Sequence, residues 1–88
     1  MDVSKLRKDF PILNSDDSPT YFDSACMTLR PIQVIDAVTE YYTDYPACGG
    51  RSVHKLSWQV TENFEMARDS LRRFLGAEKP SEIVFTKN

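Results

Sequence analysis

The stretch Ser57-Trp58-Gln59-Val60-Thr61-Glu62-Asn63-Phe64-Glu65-Met66-Ala67-Arg68-Asp69-Ser70-Leu71-Arg72-Arg73-Phe74-Leu75-Gly76 decides how this chain is read. Val60, Phe64, Ala67, Leu71 and Phe74 recur at alternating spacings of four and three residues, which aligns them on one stripe of an α-helix. Ser57 is a good N-cap, because its hydroxyl can accept one of the first unpaired N–H groups. Gly76 suits the left-handed conformation that commonly ends a helix. Phe64, Leu71 and Phe74 are therefore read as core.

Working outward, Ile32, Ile35, Val38, Tyr42 and Tyr45 follow Pro31 on a second stripe, so a helix is expected from Pro31 to about Tyr45, ended by Pro46. Val3, Leu6 and Phe10 suggest a short helix stopped at Pro11. Asn14-Ser15-Asp16-Asp17-Ser18-Pro19 is turn chemistry and reads as a surface loop. Thr20-Tyr21-Phe22-Asp23 and Glu82-Ile83-Val84-Phe85-Thr86 are β-rich, and each is expected to be a short strand. The segment is thus mostly α with short strands, without an internal repeat. A lone Ile-Val-Phe strand has nothing to pair with, so the chain reads as unfinished.

Composition narrows the function classes. Eighty-eight residues of 10.1 kDa allow one small core at most. Apolar residues make up 41% and charged residues 27%, which fits neither a disordered chain nor a membrane span. Eleven Lys plus Arg against thirteen Asp plus Glu leave a net charge of -2, interspersed along the chain, so no cationic face for nucleic acid is expected. Two cysteines and one histidine fall short of a structural zinc set. Met1 to Lys8 is polar and lacks the apolar region of a secretory signal, so the expected location is cytoplasmic and the thiols are expected to be reduced.

Chemistry concentrates between the two long helices. Ala47-Cys48-Gly49-Gly50 holds the only paired glycines, free to adopt positive φ or admit a close neighbour. His54, near Arg51 and Ser57, is either an acid/base group or a loop histidine packed beside the helix start. Cys26 precedes the Pro31 helix and Cys48 has Arg51 nearby, so each is a nucleophile candidate set against an inert thiol. The tyrosines at 41, 42 and 45 read as packing or interface residues. His54-Lys55 also matches the way pyridoxal-phosphate enzymes place a Schiff-base lysine, but that lysine needs a phosphate cradle and a ring-pairing acid.

Five segments in order and register carry a family resemblance. They are Asp9-Phe10-Pro11-Ile12-Leu13; Tyr21-Phe22-Asp23-Ser24-Ala25; Arg30-Pro31 with Val34-Ile35-Asp36-Ala37; Arg51-Ser52-Val53-His54-Lys55-Leu56-Ser57; and Glu82-Ile83-Val84-Phe85-Thr86. Together they resemble the N-terminal part of a cysteine desulfurase, a class-V aminotransferase with the α/β fold-type I architecture of pyridoxal-phosphate enzymes, over nearly the whole chain. In that family an Arg-Gly-x-His-x-Leu-Ser stretch precedes the long helix. Arg51, His54, Leu56 and Ser57 fall on it, which makes Lys55 the variable position.

The resemblance implies that residues 1–88 form a single N-terminal segment, part of the small domain plus the start of the large one. It implies conversion of L-cysteine to L-alanine, with sulfur passed on as a persulfide, by a homodimeric full enzyme that uses pyridoxal 5'-phosphate and serves a sulfur acceptor, as in iron–sulfur cluster assembly. The implied substrate-binding residues are Ala25 and Cys26, in the loop lining the carboxylate side, with Arg51 and His54 at the active-site mouth. No catalytic, cofactor-anchoring or metal-ligating residue is implied within the segment, which is expected to be inactive alone and to require the remainder of the enzyme or a complementary chain. Cys26 departs from the family's usual second alanine, and Gly50 stands where a histidine is common. These departures keep selenocysteine lyase and kynureninase-like or epimerase-like activities open. Outside the enzyme class, a non-catalytic interaction module is the alternative.

Overall fold

The computed structural model describes residues 2–87. The chain divides into two compact units, Met1–Asp44 and Tyr45–Asn88.

In the first unit, α1 (Val3–Arg7) is capped by Asp2, whose carboxylate accepts from the Ser4 and Lys5 N–H groups at 3.0 and 3.3 Å. The helix is shorter than expected. Residues up to Phe10 continue only as turns, because Pro11 forces Phe10 into extended backbone and then opens a 3₁₀ turn, Pro11–Leu13. Asn14 Nδ2 donates back to the Lys8 carbonyl at 2.8 Å, and the Ile32 N–H donates to the Asp9 carbonyl at 2.7 Å, fastening the start of α2 (Ile32–Asp44) to the end of α1. Pro31 lies one residue before α2, and its carbonyl accepts from Val34 and Ile35. Among the described residues of this unit no apolar side chain is buried.

The second unit is organised by α3 (Lys55–Leu75). Gly76 takes φ 71°, the left-handed value expected of it, and the Ala77 N–H closes the helix end on the Arg72 carbonyl at 3.0 Å. The helix starts three residues earlier than the Ser57 cap implied: His54, not Ser57, occupies the cap position. After a 3₁₀ turn, Pro80–Glu82, the chain folds back on α3. Ile83 is buried there, and the Phe64 and Phe85 rings meet at 4.7 Å between centroids. Arg68 lies 5.2 Å from each ring centre and donates to the Ile83 carbonyl. Tyr45 is the other buried apolar residue, and its hydroxyl accepts from Asn63 Nδ2 at 3.1 Å.

The two expected strands, at 20–23 and 82–86, are not formed; among the described residues there is no strand. Ile83 has extended backbone, but a strand also needs a neighbour to pair with, and β-rich composition supplies only the tendency.

Near the end of α3 the Asp69 carboxylate receives Arg72 Nε at 2.7 Å and an N–H of Arg73. The Arg72 hydrogen bond is the main reason its acidity is held below the ordinary carboxylate value; desolvation opposes this, and the charges of both arginines reinforce it. A lowered folded value means that the pairing contributes fully above the ordinary carboxylate range and is lost as pH falls through the lowered one. We expect the last turns of α3 to loosen in that acid window, with backbone NMR shifts of residues 69–76 moving together. In Asp69→Asn that acid step should disappear.

Candidate functional site

The four candidate residues fall into two pairs, Ala25 and Cys26 in the first unit, Arg51 and His54 in the second. Each pair has its own local architecture.

Ala25 and Cys26 sit in a tight turn. The Cys26 and Met27 N–H groups both donate to the Asp23 carbonyl, at 3.1 and 3.0 Å. Tyr21 steadies the turn by contributing its hydroxyl to the carbonyls of Asp23 and Met27, and Thr28 Oγ1 donates to the Ser24 carbonyl at 3.3 Å. Both candidates are exposed, and the Cys26 thiol is free. A cleft of about 550 Å³ in this unit is lined by Ser24 and Thr28 on either side of the turn, with Arg7, Phe10, Tyr21 and Phe22 among its other walls. Neither Ala25 nor Cys26 lines it.

Arg51 and His54 belong to the loop that enters α3. Ser57, wholly buried, donates its hydroxyl to the Cys48 carbonyl. Thr61 Oγ1 accepts the Gly50 N–H at 2.9 Å and donates to the Ser57 carbonyl at 2.9 Å. The loop lies so close to the helix that a Cβ on Gly49 would come within 3.1 Å of Val60 Cγ1, and Gly50 takes φ 71°. His54 Nδ1 accepts the Ser57 N–H at 3.3 Å, while the His54 carbonyl receives the Trp58 N–H at 3.1 Å. Arg51 stays exposed at the loop tip. The two hydroxyls that hold this loop were not among the sequence candidates. Their signal is a Ser and a Thr four residues apart at the front of a helix that follows paired glycines.

The family model described as Aminotransferase class-V matches residues 20–88. The chain belongs to that family. Among class-V relatives, the probable cysteine desulfurase of Streptomyces coelicolor is 40% identical over 92 aligned positions, covering 100% of this chain and 22% of that protein. The probable cysteine desulfurase of Halobacterium salinarum is 38% identical, again over 100% of this chain and 22% of its own. Among solved structures, the apo cysteine desulfurase from Thermococcus onnurineus NA1 matches with a TM-score of 0.82 and 42% identity, covering 98% of this chain and 20% of that one. The chain therefore spans about a fifth of the length of the relatives it matches. The class-V fold is the α/β fold-type I architecture, of which these residues supply a part that is about half helical and has no strand among the described residues.

For the full enzyme the family implies pyridoxal phosphate. A phosphate cradle needs unpaired N–H groups and converging cations. At the start of α3 the Ser57 and Trp58 N–H groups are both taken by His54, and Thr61 holds the Gly50 N–H. Arg68, Arg72 and Arg73 are each committed to a carboxylate. Lys55 is exposed on the first turn of α3. The start of α3 thus does not fit the cofactor's phosphate, and no role toward it falls on these residues. Nor do any three His, Cys, Asp or Glu side chains among the described residues converge as a metal site. No helix among the described residues is long and apolar enough to cross a membrane.

Proposed function

We propose that this chain is the N-terminal part of a pyridoxal-phosphate-dependent cysteine desulfurase-like enzyme that converts L-cysteine to L-alanine and passes the sulfur on as a persulfide. The observation that carries the reading is the match of nearly all of this chain to about a fifth of the length of cysteine desulfurases, at about 40% identity in sequence and in structure. Within that enzyme the Ala25–Cys26 turn offers backbone to the carboxylate side of the substrate. Arg51 supplies a guanidinium, suited by its planar fork to a carboxylate. Alone the 88 residues are inactive, since the group that makes cysteine reactive is anchored elsewhere. The partners are the remainder of the enzyme, a second full-length copy and a sulfur-acceptor protein; the setting is cytoplasmic, in iron–sulfur cluster assembly.

The test is to capture the native species with an antibody against this segment. It is then supplied with L-cysteine and a thiol reductant while alanine and sulfide are measured. We expect a species well above 10.1 kDa that forms the two products in equal amounts, with none from the isolated chain. A captured species that forms no alanine would overturn the reading. Because Gly50 stands where the family commonly has histidine, L-selenocysteine is run in parallel. Exclusive turnover of that substrate would assign the lyase activity instead.

A further inference from the structure

We propose that His54 is a positioning residue: its imidazole caps α3 and, with Ser57 and Thr61, locks the loop from Cys48 to Val53, so that Arg51 meets the substrate carboxylate from a fixed backbone. The part played by Arg51 rests on the function proposed above; the locking does not.

Three fastenings hold the loop along its length. Its first carbonyl, at Cys48, receives the buried Ser57 hydroxyl; its middle N–H, at Gly50, is held by Thr61 Oγ1 at 2.9 Å; and just beyond its last residue His54 accepts the Ser57 N–H at 3.3 Å. Ser57 is common to two of them and bonds to Thr61 through its own carbonyl, so the three act as one unit. Between the fastenings, residues 51–53 are exposed.

The atoms engaged separate this role from acid/base chemistry. To accept an N–H, Nδ1 must present its lone pair, which leaves the proton of the neutral ring on Nε2. That nitrogen of His54 is then occupied by the backbone and is not available to take a proton from substrate. What the position requires is a short acceptor in extended backbone before a helix, a requirement that asparagine also meets.

The experiment compares His54→Ala and His54→Asn in the full-length enzyme that carries this segment. Two quantities are followed: amide hydrogen exchange at Gly50 and Ser57, and the kinetics with L-cysteine. Loss of the cap in His54→Ala should speed exchange at both amides roughly fivefold. It should also raise KM by a similar factor while kcat changes little. His54→Asn should return both exchange and KM to within about twofold of the natural chain. If asparagine lowers kcat as severely as alanine while exchange stays slow, the imidazole is acting in acid/base chemistry and the proposal falls. It falls equally if alanine leaves exchange unchanged. Should the natural enzyme not turn over cysteine at all, the function reading fails, while the exchange rates still decide whether His54 locks the loop.

Discussion

A preparation of the isolated 88-residue chain is expected to bind an apolar dye and to unfold gradually rather than in one sharp transition. Burial is the reason. Among the described residues Tyr45 and Ile83 are the only buried apolar side chains, and both belong to the second unit. Phe22 in the first unit and Phe74 in the second are 92% and 84% exposed. The stripes of α2 and α3 that the sequence marks as inward faces leave Ile35, Val38, Phe64 and Leu71 open to solvent as well. Removing apolar surface from water is the main force that makes folding cooperative, and little of it is removed here. We therefore expect a urea slope well under the ~1 kcal/mol/M at the low end for small two-state domains. Dye fluorescence should resemble that of expanded compact states and fall when the remainder of the enzyme is added. One steep transition with no dye binding would instead identify a self-sufficient module.

Arg68→Ala should release the chain after Pro80 from α3. The guanidinium sits against both Phe64 and Phe85 and donates to the Ile83 carbonyl, so a single side chain joins the helix to the returning segment. Its loss removes two ring contacts and a charge-assisted hydrogen bond, and frees a carbonyl beside a buried residue, together about 2 kcal/mol. The measurement is the NMR contact between the Phe64 and Phe85 rings, with amide exchange at Val84 and Phe85. Arg68→Lys should recover less than half the effect, because an ammonium cannot lie flat on two rings while reaching the carbonyl. Glu65→Ala should change little: its pairing with Arg68 is an exposed contact across three residues of helix, worth a few tenths of a kcal/mol. If Glu65→Ala loosened the segment as much as Arg68→Ala, the ion pair and not the rings would be the fastening.

How much of this was legible in the sequence depends on whether the cause is local. The periodicity from Val60 to Phe74 and the glycine at 76 are local causes, and α3 ends where they place it. Pro11 likewise breaks the chain where expected, although its restriction on Phe10 shortens α1 further than the apolar spacing suggested. Residues 82–86 show the opposite case. Their composition favours extended backbone, but a strand also needs a pairing neighbour, and among the described residues none is paired with them.

The start of α3 differs from the Ser57 cap that the sequence predicts for a subtler reason. Ser57 and His54 both carry acceptors that can cap a helix, and composition favours the serine. The backbone turns at His54, which carries Ser57 into the first turn, where its hydroxyl points back to Cys48. At the candidate site the family likeness named Ala25, Cys26, Arg51 and His54, and the structure supplies what holds each pair. Tyr21 could not be read from spacing, because its partners are backbone carbonyls, and the anchor at Ser57 and Thr61 leaves only the four-residue spacing behind the paired glycines as its mark.

The anchor of the 48–53 loop uses main-chain atoms of Cys48 and Gly50 on the loop side and hydroxyls of α3 on the other, while Val53 at the tip is 107% exposed. Foundation and tip are therefore separable under selection. Residues 51–53 can drift, acquire a new charge or lose one with little consequence for the helix beneath, whereas Gly49, which faces Val60, and the hydroxyls of Ser57 and Thr61 are far more constrained. A lineage could retune what its rim recognises through changes at three exposed positions on an unaltered frame.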